Sequence, residues 1–204
     1  MSEFGERVTL MEAATMTANT PMLRFVWRGQ RGCGKSSGLQ MMQKMLPDHI
    51  AAYVDCTTKD IGDLAMPIVD PVSRITYMAP AASFKMAHDS NRPVLLCLDE
   101  YTKGMRPVRN ALHTLFETVN PRFYDIPVPP GSVIYATGNL TEEGLGDQLE
   151  GHTLDRVTEI EISKPTPEEW LPWAANKGIN PAMMAFVKQV PQVLASFHDE
   201  GQGG

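Results

Sequence analysis

Residues 29–36 read Gly-Gln-Arg-Gly-Cys-Gly-Lys-Ser, with glycine at the first and sixth places and Lys-Ser closing the run. That spacing is a phosphate-binding loop, and it requires a strand before it and a helix after it. Both are written into the flanks. Leu23 to Arg28 is β-branched and aromatic and predicts a strand. Lys35 to Leu46 places Leu39, Met42 and Leu46 on one helical face and is closed by Pro47. The glycines let the main chain wrap phosphate oxygens closely, and the helix N-terminus adds partial positive charge beneath them. Lys35 would reach the β- and γ-phosphates, and the Ser36 hydroxyl would ligate magnesium. The expected ligand is a nucleoside triphosphate with Mg2+, bound by Gly29, Gln30, Arg31, Gly32, Cys33, Gly34, Lys35, Ser36 and Ser37. The bland alternative is a glycine turn ahead of an ordinary helix.

Further strands follow from the pattern. Ile50–Asp55, Pro93–Leu98 and Ser132–Thr137 are short apolar runs of the kind a parallel sheet buries on both faces. Val157–Ile162 alternates apolar and polar, which predicts a strand with one wet face. Helices are expected over 81–89 and 106–119, with a short one near Leu10–Ala14 in an otherwise polar lead-in, 1–22. A hairpin is expected over 66–78, where Asp70-Pro71 marks a turn, and a second hairpin or a long loop over proline-rich 120–130. Strands alternating with helices imply a three-layer α/β/α sandwich around a mostly parallel, five-stranded sheet spanning 23–164. Prolines 165, 167 and 172 introduce short helical pieces near 168–176, 181–189 and 191–198, a helical lid over 165–199 followed by a disordered tail, 200–204.

The chain has 204 residues, 43% of them hydrophobic, enough for one core. A net charge of −6 weighs against wholesale nucleic-acid binding. No apolar run approaches a membrane span, and the first residues lack the order of a secretory signal. Cys33, Cys56 and Cys97 are odd in number and lack metal-site spacing, so a reducing cytoplasm is the expected setting. A packed thiol and an oxidation-sensitive one are both readings of Cys33.

The run Leu95–Leu98 ends in Asp99 and Glu100. Beside a nucleotide, Asp99 would hold the magnesium shell and Glu100 would polarise the attacking water. Asn139 follows a strand directly. Gly-Asn is ordinary turn chemistry, and an amide there would also hold water or phosphate; the residues leave both open. Arg156, in Leu154-Asp-Arg-Val157, is either half of a surface pair with Asp155 or an arginine donated to a neighbouring subunit's γ-phosphate.

In order, the loop at 29–36, Leu-Leu-Cys-Leu-Asp-Glu at 95–100, Asn110-Ala-Leu112, Ala-Thr-Gly-Asn at 136–139 and Leu-Asp-Arg-Val at 154–157 resemble an AAA+ ATPase, most of all the MoxR group and its helix-2-insert relatives. The resemblance extends over roughly residues 20–164. It implies a P-loop NTPase fold in which 29–36 is Walker A, Asp99 and Glu100 are Walker B, Asn139 is sensor 1 and Arg156 is the arginine finger. It makes the 66–78 hairpin the insert in helix 2, and it suggests Thr57 or Thr58 as a restraint on Glu100. It also implies a homo-oligomeric, usually hexameric ring that hydrolyses ATP to remodel a protein client or work with a von Willebrand factor A-domain partner. Two alternatives remain: a nucleotide-gated assembly module with little hydrolysis, and, less favoured by charge, a nucleic-acid motor or loader. Arg156 is the last arginine of the chain, so the second sensor arginine usual in the family's lid has no counterpart here.

Overall fold

Each apolar run in the sequence becomes one strand or one packed helix. A computed structural model describes residues 7–84, 92–140, 149 and 151–194. In chain order the elements are α1 (Leu10–Asn19), β1 (Phe25–Gly29), α2 (Gly38–Met45), β2 (Ile50–Asp55), β3 (Ala65–Val69), β4 (Thr76–Pro80) and β5 (Val94–Asp99). There follow α3 (Arg106–Leu112), β6 (Arg122–Phe123), β7 (Ile126–Pro127), β8 (Val133–Gly138), α4 (Gly151–Leu154), β9 (Thr158–Ile162), α5 (Pro167–Asn176) and α6 (Pro181–Gln189).

Five of these strands form one sheet in the order β2-β5-β8-β1-β9, with every neighbouring pair parallel. The strand carrying Asn139 at its end therefore lies between the strand that feeds the glycine loop and the strand that ends in Asp99. Because side chains alternate along a strand, the sheet has two apolar faces. Val26, Val54, Leu96, Leu98 and Ile134 pack on one side with Val108, Leu112, Leu115 and Phe116. Phe25, Trp27, Leu95, Val133 and Tyr135 pack on the other with Ala13, Ala14 and Met42. Burial of each such Leu, Val or Phe side chain contributes about 1.5–3 kcal/mol.

The N-terminal segment is more than a polar lead-in with a short helix. Its helix, α1, runs for 10 residues, opened by a Thr9–Glu12 capping box. Its buried face is Ala13, Ala14, Thr17 and Ala18, small enough to let the helix lie close to the sheet. Trp27 Nε1 donates to Thr17 Oγ1 at 3.0 Å. Val8 lengthens the sheet edge with a parallel bridge to Ile162.

Other boundaries differ for local reasons. The helix expected over 106–119 ends at Leu112 and tightens into a 3-10 turn, His113–Phe116, which brings Leu115 and Phe116 into the core; Val119 is 96% exposed. The outer strand β9 has no wet face of glutamates. Glu161 is buried and pairs with Arg7 at 2.7 Å, and Glu159 pairs with Arg28 at 2.9 Å, so counter-charges cover positions that alternation assigns to solvent. The hairpin expected over 66–78 forms from β3 and β4, and of the two readings of 120–130 the hairpin is the one that forms, β6 with β7. Of the helix expected over 81–89, a 3-10 turn at Ala82–Phe84 is described, and 85–89 lies outside the described residues. The expected third lid helix is a 3-10 turn at Pro191–Leu194; residues 195–198 and the tail 200–204 lie outside the described residues. No helix among the described residues is long and apolar enough to cross a membrane.

Candidate functional site

All five strands are parallel, so their carboxyl ends share one edge of the sheet, where ligands of open α/β folds bind. Gly29 ends β1, Asp99 ends β5 and Asn139 follows β8.

The glycine loop turns tightly. A Cβ on Gly29 would stand 2.8 Å from Cys33 Sγ and 2.9 Å from the Ile162 carbonyl oxygen. Gly34 has φ +92, a left-handed conformation open to glycine at little strain. The helix expected from Lys35 begins as a 3-10 turn, Lys35–Ser37, before α2. Lys35 is buried, and its ammonium donates to the carbonyls of Gly29 at 2.6 Å and Gln30 at 3.1 Å, and to Asn139 Oδ1 at 3.3 Å. Lysine has donors only, so the amide oxygen must face it and Asn139 Nδ2 must point elsewhere. That Nδ2 is buried and has no hydrogen-bond partner among the described residues. Arg31, Ser36 and Ser37 are exposed, and Cys33 is buried as a packed thiol.

Asp99 gathers three hydroxyls. Ser36 Oγ and Tyr53 Oη donate to Oδ2 at 3.1 and 2.6 Å, and Thr137 Oγ1 donates to Oδ1. Thr137 also accepts from the Glu100 main-chain N–H at 2.9 Å, so one side chain ties both acids to β8. Glu100 has φ 49 and ψ 35, left-handed for a residue with a side chain. Its Oε2 lies 2.7 Å from the Lys103 ammonium. Thr57 and Thr58 bond Asp55 instead, through its Oδ1 at 2.7 Å and its carbonyl at 3.1 Å. The side chain that meets the Glu100 carboxylate is thus Lys103, three residues on, rather than the threonines that follow β2.

Burial, reinforced by Asp99, raises the phenol pKa values of Tyr53 and Tyr135. Burial raises the Cys97 thiol likewise and pushes Cys56 up to about 12, with Asp55 and Asp99 adding to the Cys56 shift. These four groups stay neutral around the carboxylate.

Behind Asn139 stands Arg28. Its guanidinium donates to the Asn139 carbonyl at 3.1 Å and to Glu159 Oε1 at 3.1 and 2.9 Å. A charged residue inside an apolar strand, directly before the loop glycine, was the signal available for it. Thr137 and Tyr53 gave none, because their partners come from neighbouring strands.

Arg156 is not at this edge. It precedes β9, whose Thr158 pairs with Phe25 while Ile162 pairs with Gly29. At about 3.3 Å per residue, the strand from Thr158 to Ile162 alone advances roughly 13 Å, and Arg156 lies in the turn before it. That is farther than an arginine side chain spans.

The donor chemistry suits magnesium: a hydroxyl and a carboxylate oxygen in contact, both hard ligands. No group of three or more His, Cys, Asp or Glu able to hold a metal occurs among the described residues. A cation here would depend on ligand oxygens for the rest of its shell, as Mg2+ commonly does with phosphates. Against protein-family models and curated proteins the chain finds no match.

Proposed function

We propose that this chain is an ATP-binding and ATP-hydrolysing subunit of the AAA+ type, resembling the MoxR group, with a P-loop NTPase fold. The observation that carries the reading is the hydrogen-bonded junction of three strand ends: Lys35 to Asn139, and Ser36 to Asp99. In this reading the ammonium and loop amides bind the phosphates. Magnesium, when bound, neutralises charge on the β- and γ-oxygens. Ser36 donates its hydrogen bond to Asp99 and so leaves its oxygen lone pairs for the cation. Asn139 holds its amide nitrogen ready for the γ-phosphate or the attacking water, and Glu100 orients and deprotonates that water.

The separation of Arg156 from the loop supports the remaining part. In this reading Arg156, which does not reach its own loop, serves a neighbour's site, so the complete site takes two copies in head-to-tail contact. A closed ring of such contacts, six in the family's usual arrangement, satisfies every subunit. The exposed apolar residues Met66, Val69, Val72 and Ile75 on the β3–β4 hairpin favour a protein as the partner to be remodelled.

The Lys103–Glu100 pair favours a second reading, a nucleotide-gated assembly module that hydrolyses slowly. One experiment separates the two. Calorimetric titration with ATP and Mg2+ should show binding, and Glu100→Gln should keep that binding while abolishing phosphate release. No heat with ATP or ADP rejects both readings; phosphate release unchanged in Glu100→Gln rejects the hydrolase.

A further inference from the structure

Tyr53 lies on β2, the edge strand of the sheet, and is half-exposed. Its register partner on β5 is Cys97, and Asp99 stands two residues farther along that strand. Two residues of strand advance about 7 Å, close to the reach of a tyrosine side chain. The ring leans along the strand direction, and its hydroxyl meets Asp99 Oδ2 at 2.6 Å. The same oxygen accepts from Ser36 at 3.1 Å. Thr137 takes the other oxygen, Oδ1. Thr137 and Ser36 hold one oxygen each, Ser36 through a long bond of 3.1 Å. Tyr53 adds a second, shorter bond on Oδ2 from the edge strand, and so fixes the plane of the carboxylate relative to the Ser36 hydroxyl.

We propose that Tyr53 is a positioning residue for the divalent cation: its hydroxyl holds Asp99 in the orientation that meets the cation's shell beside Ser36. This rests on the nucleotide-and-magnesium reading above and adds to it a residue outside every motif of the loop and the acid pair. Groups that orient a metal ligand through one hydrogen bond typically change metal affinity or activity by about 10–100-fold when removed.

Tyr53→Phe removes the hydroxyl and leaves the ring. Three quantities are measured on the full chain: ATP affinity without divalent cation, ATP affinity across a Mg2+ titration, both by calorimetry, and the thermal midpoint. The expected result is an unchanged midpoint, metal-free affinity within about twofold of wild type, and a Mg2+ concentration for half-maximal enhancement raised about tenfold. A Mg2+ curve that superimposes on wild type, or one shifted to lower Mg2+, overturns the proposal. So does an equal loss of affinity with and without Mg2+, which would mark a general packing role. If wild-type protein itself shows no nucleotide binding, the nucleotide reading falls and this proposal with it; a wild-type response that Tyr53→Phe shares unchanged defeats this proposal alone.

Discussion

The ammonium of Lys35 lies 3.3 Å from the side-chain oxygen of Asn139, joining the glycine loop to the end of a strand more than a hundred residues later. The contact spends the amide's acceptor on lysine and leaves its donor pointing away. Asn139→Ala removes both functions at once. In the proposed reading loop amides and Lys35 would still bind phosphate, so ATP affinity should change by less than about tenfold. Phosphate release at saturating ATP should fall about 10²–10³-fold, the usual loss for one transition-state donor. A variant that loses affinity and turnover by the same factor would show Asn139 to be a ground-state contact only.

Arg156 tests assembly. Arg156→Ala and Lys35→Ala should each be inactive alone, one lacking the donated arginine and the other the phosphate grip. Mixed in equal amounts and allowed to exchange, they should recover about a quarter of wild-type turnover, because that fraction of head-to-tail contacts joins an intact loop to an intact arginine. No recovery in mixtures whose subunits demonstrably exchange would remove the in-trans role.

Arg28 and Glu159 form a buried pair behind the site. Arg28→Met strands the carboxylate and should destabilise the fold by about 3–5 kcal/mol in urea. Adding Glu159→Met removes the stranded charge and should return most of that loss. A double variant as unstable as the single one would mean that packing, not charge, is what Arg28 supplies.

Gly38 opens α2 against Trp27. A Cβ there would stand 2.2 Å from Trp27 Cζ3. Alanine's helix propensity favours the substitution by about 1 kcal/mol. The ring is fully buried and bonded to Thr17, so the clash should prevail. Gly38→Ala should cost about 1–3 kcal/mol, as overpacked cores do, with a change in tryptophan fluorescence. A stabilised variant would show that the ring has room to move.

The Cys56 thiol titrates near 12 in the fold, against about 8.5 in an unfolded chain. Its folded pKa is raised, so its contribution is fully present below about pH 8.5 and is lost as pH climbs toward 12. The slope is about 1.4 kcal/mol per pH unit for one such group. Buried Cys97 acts with the same sign. Urea midpoints between about pH 8.5 and 10.5 should fall in wild type and fall less steeply in Cys56→Ala. Parallel slopes would remove Cys56 as a cause.

What could be read beforehand follows from how local each signal is. The loop was legible because its function depends on spacing within one stretch, Gly29 to Ser36. The buried strand Val94–Asp99 was legible because a run covered on both faces is apolar throughout. The length of α1 was not, because its buried side is Ala13, Ala14, Thr17 and Ala18, a face with little hydrophobic contrast. Glu159 and Glu161 were assigned to solvent because alternation is blind to arginines arriving from elsewhere. The roles of Tyr53 and Thr137 depend on which strand lies beside which, and only the sheet order supplies that.

Glu100 occupies a stretch of backbone that suits glycine or asparagine better than an acid with a long side chain. Holding it there costs about 1–3 kcal/mol that the neighbouring Thr137 and Lys103 contacts help to offset. Selection for rigidity alone would replace this residue, and selection for chemistry alone would keep it. If Glu100 is the base of the proposed hydrolysis, a sharp bend at this point sets tolerance to heat against capacity for turnover.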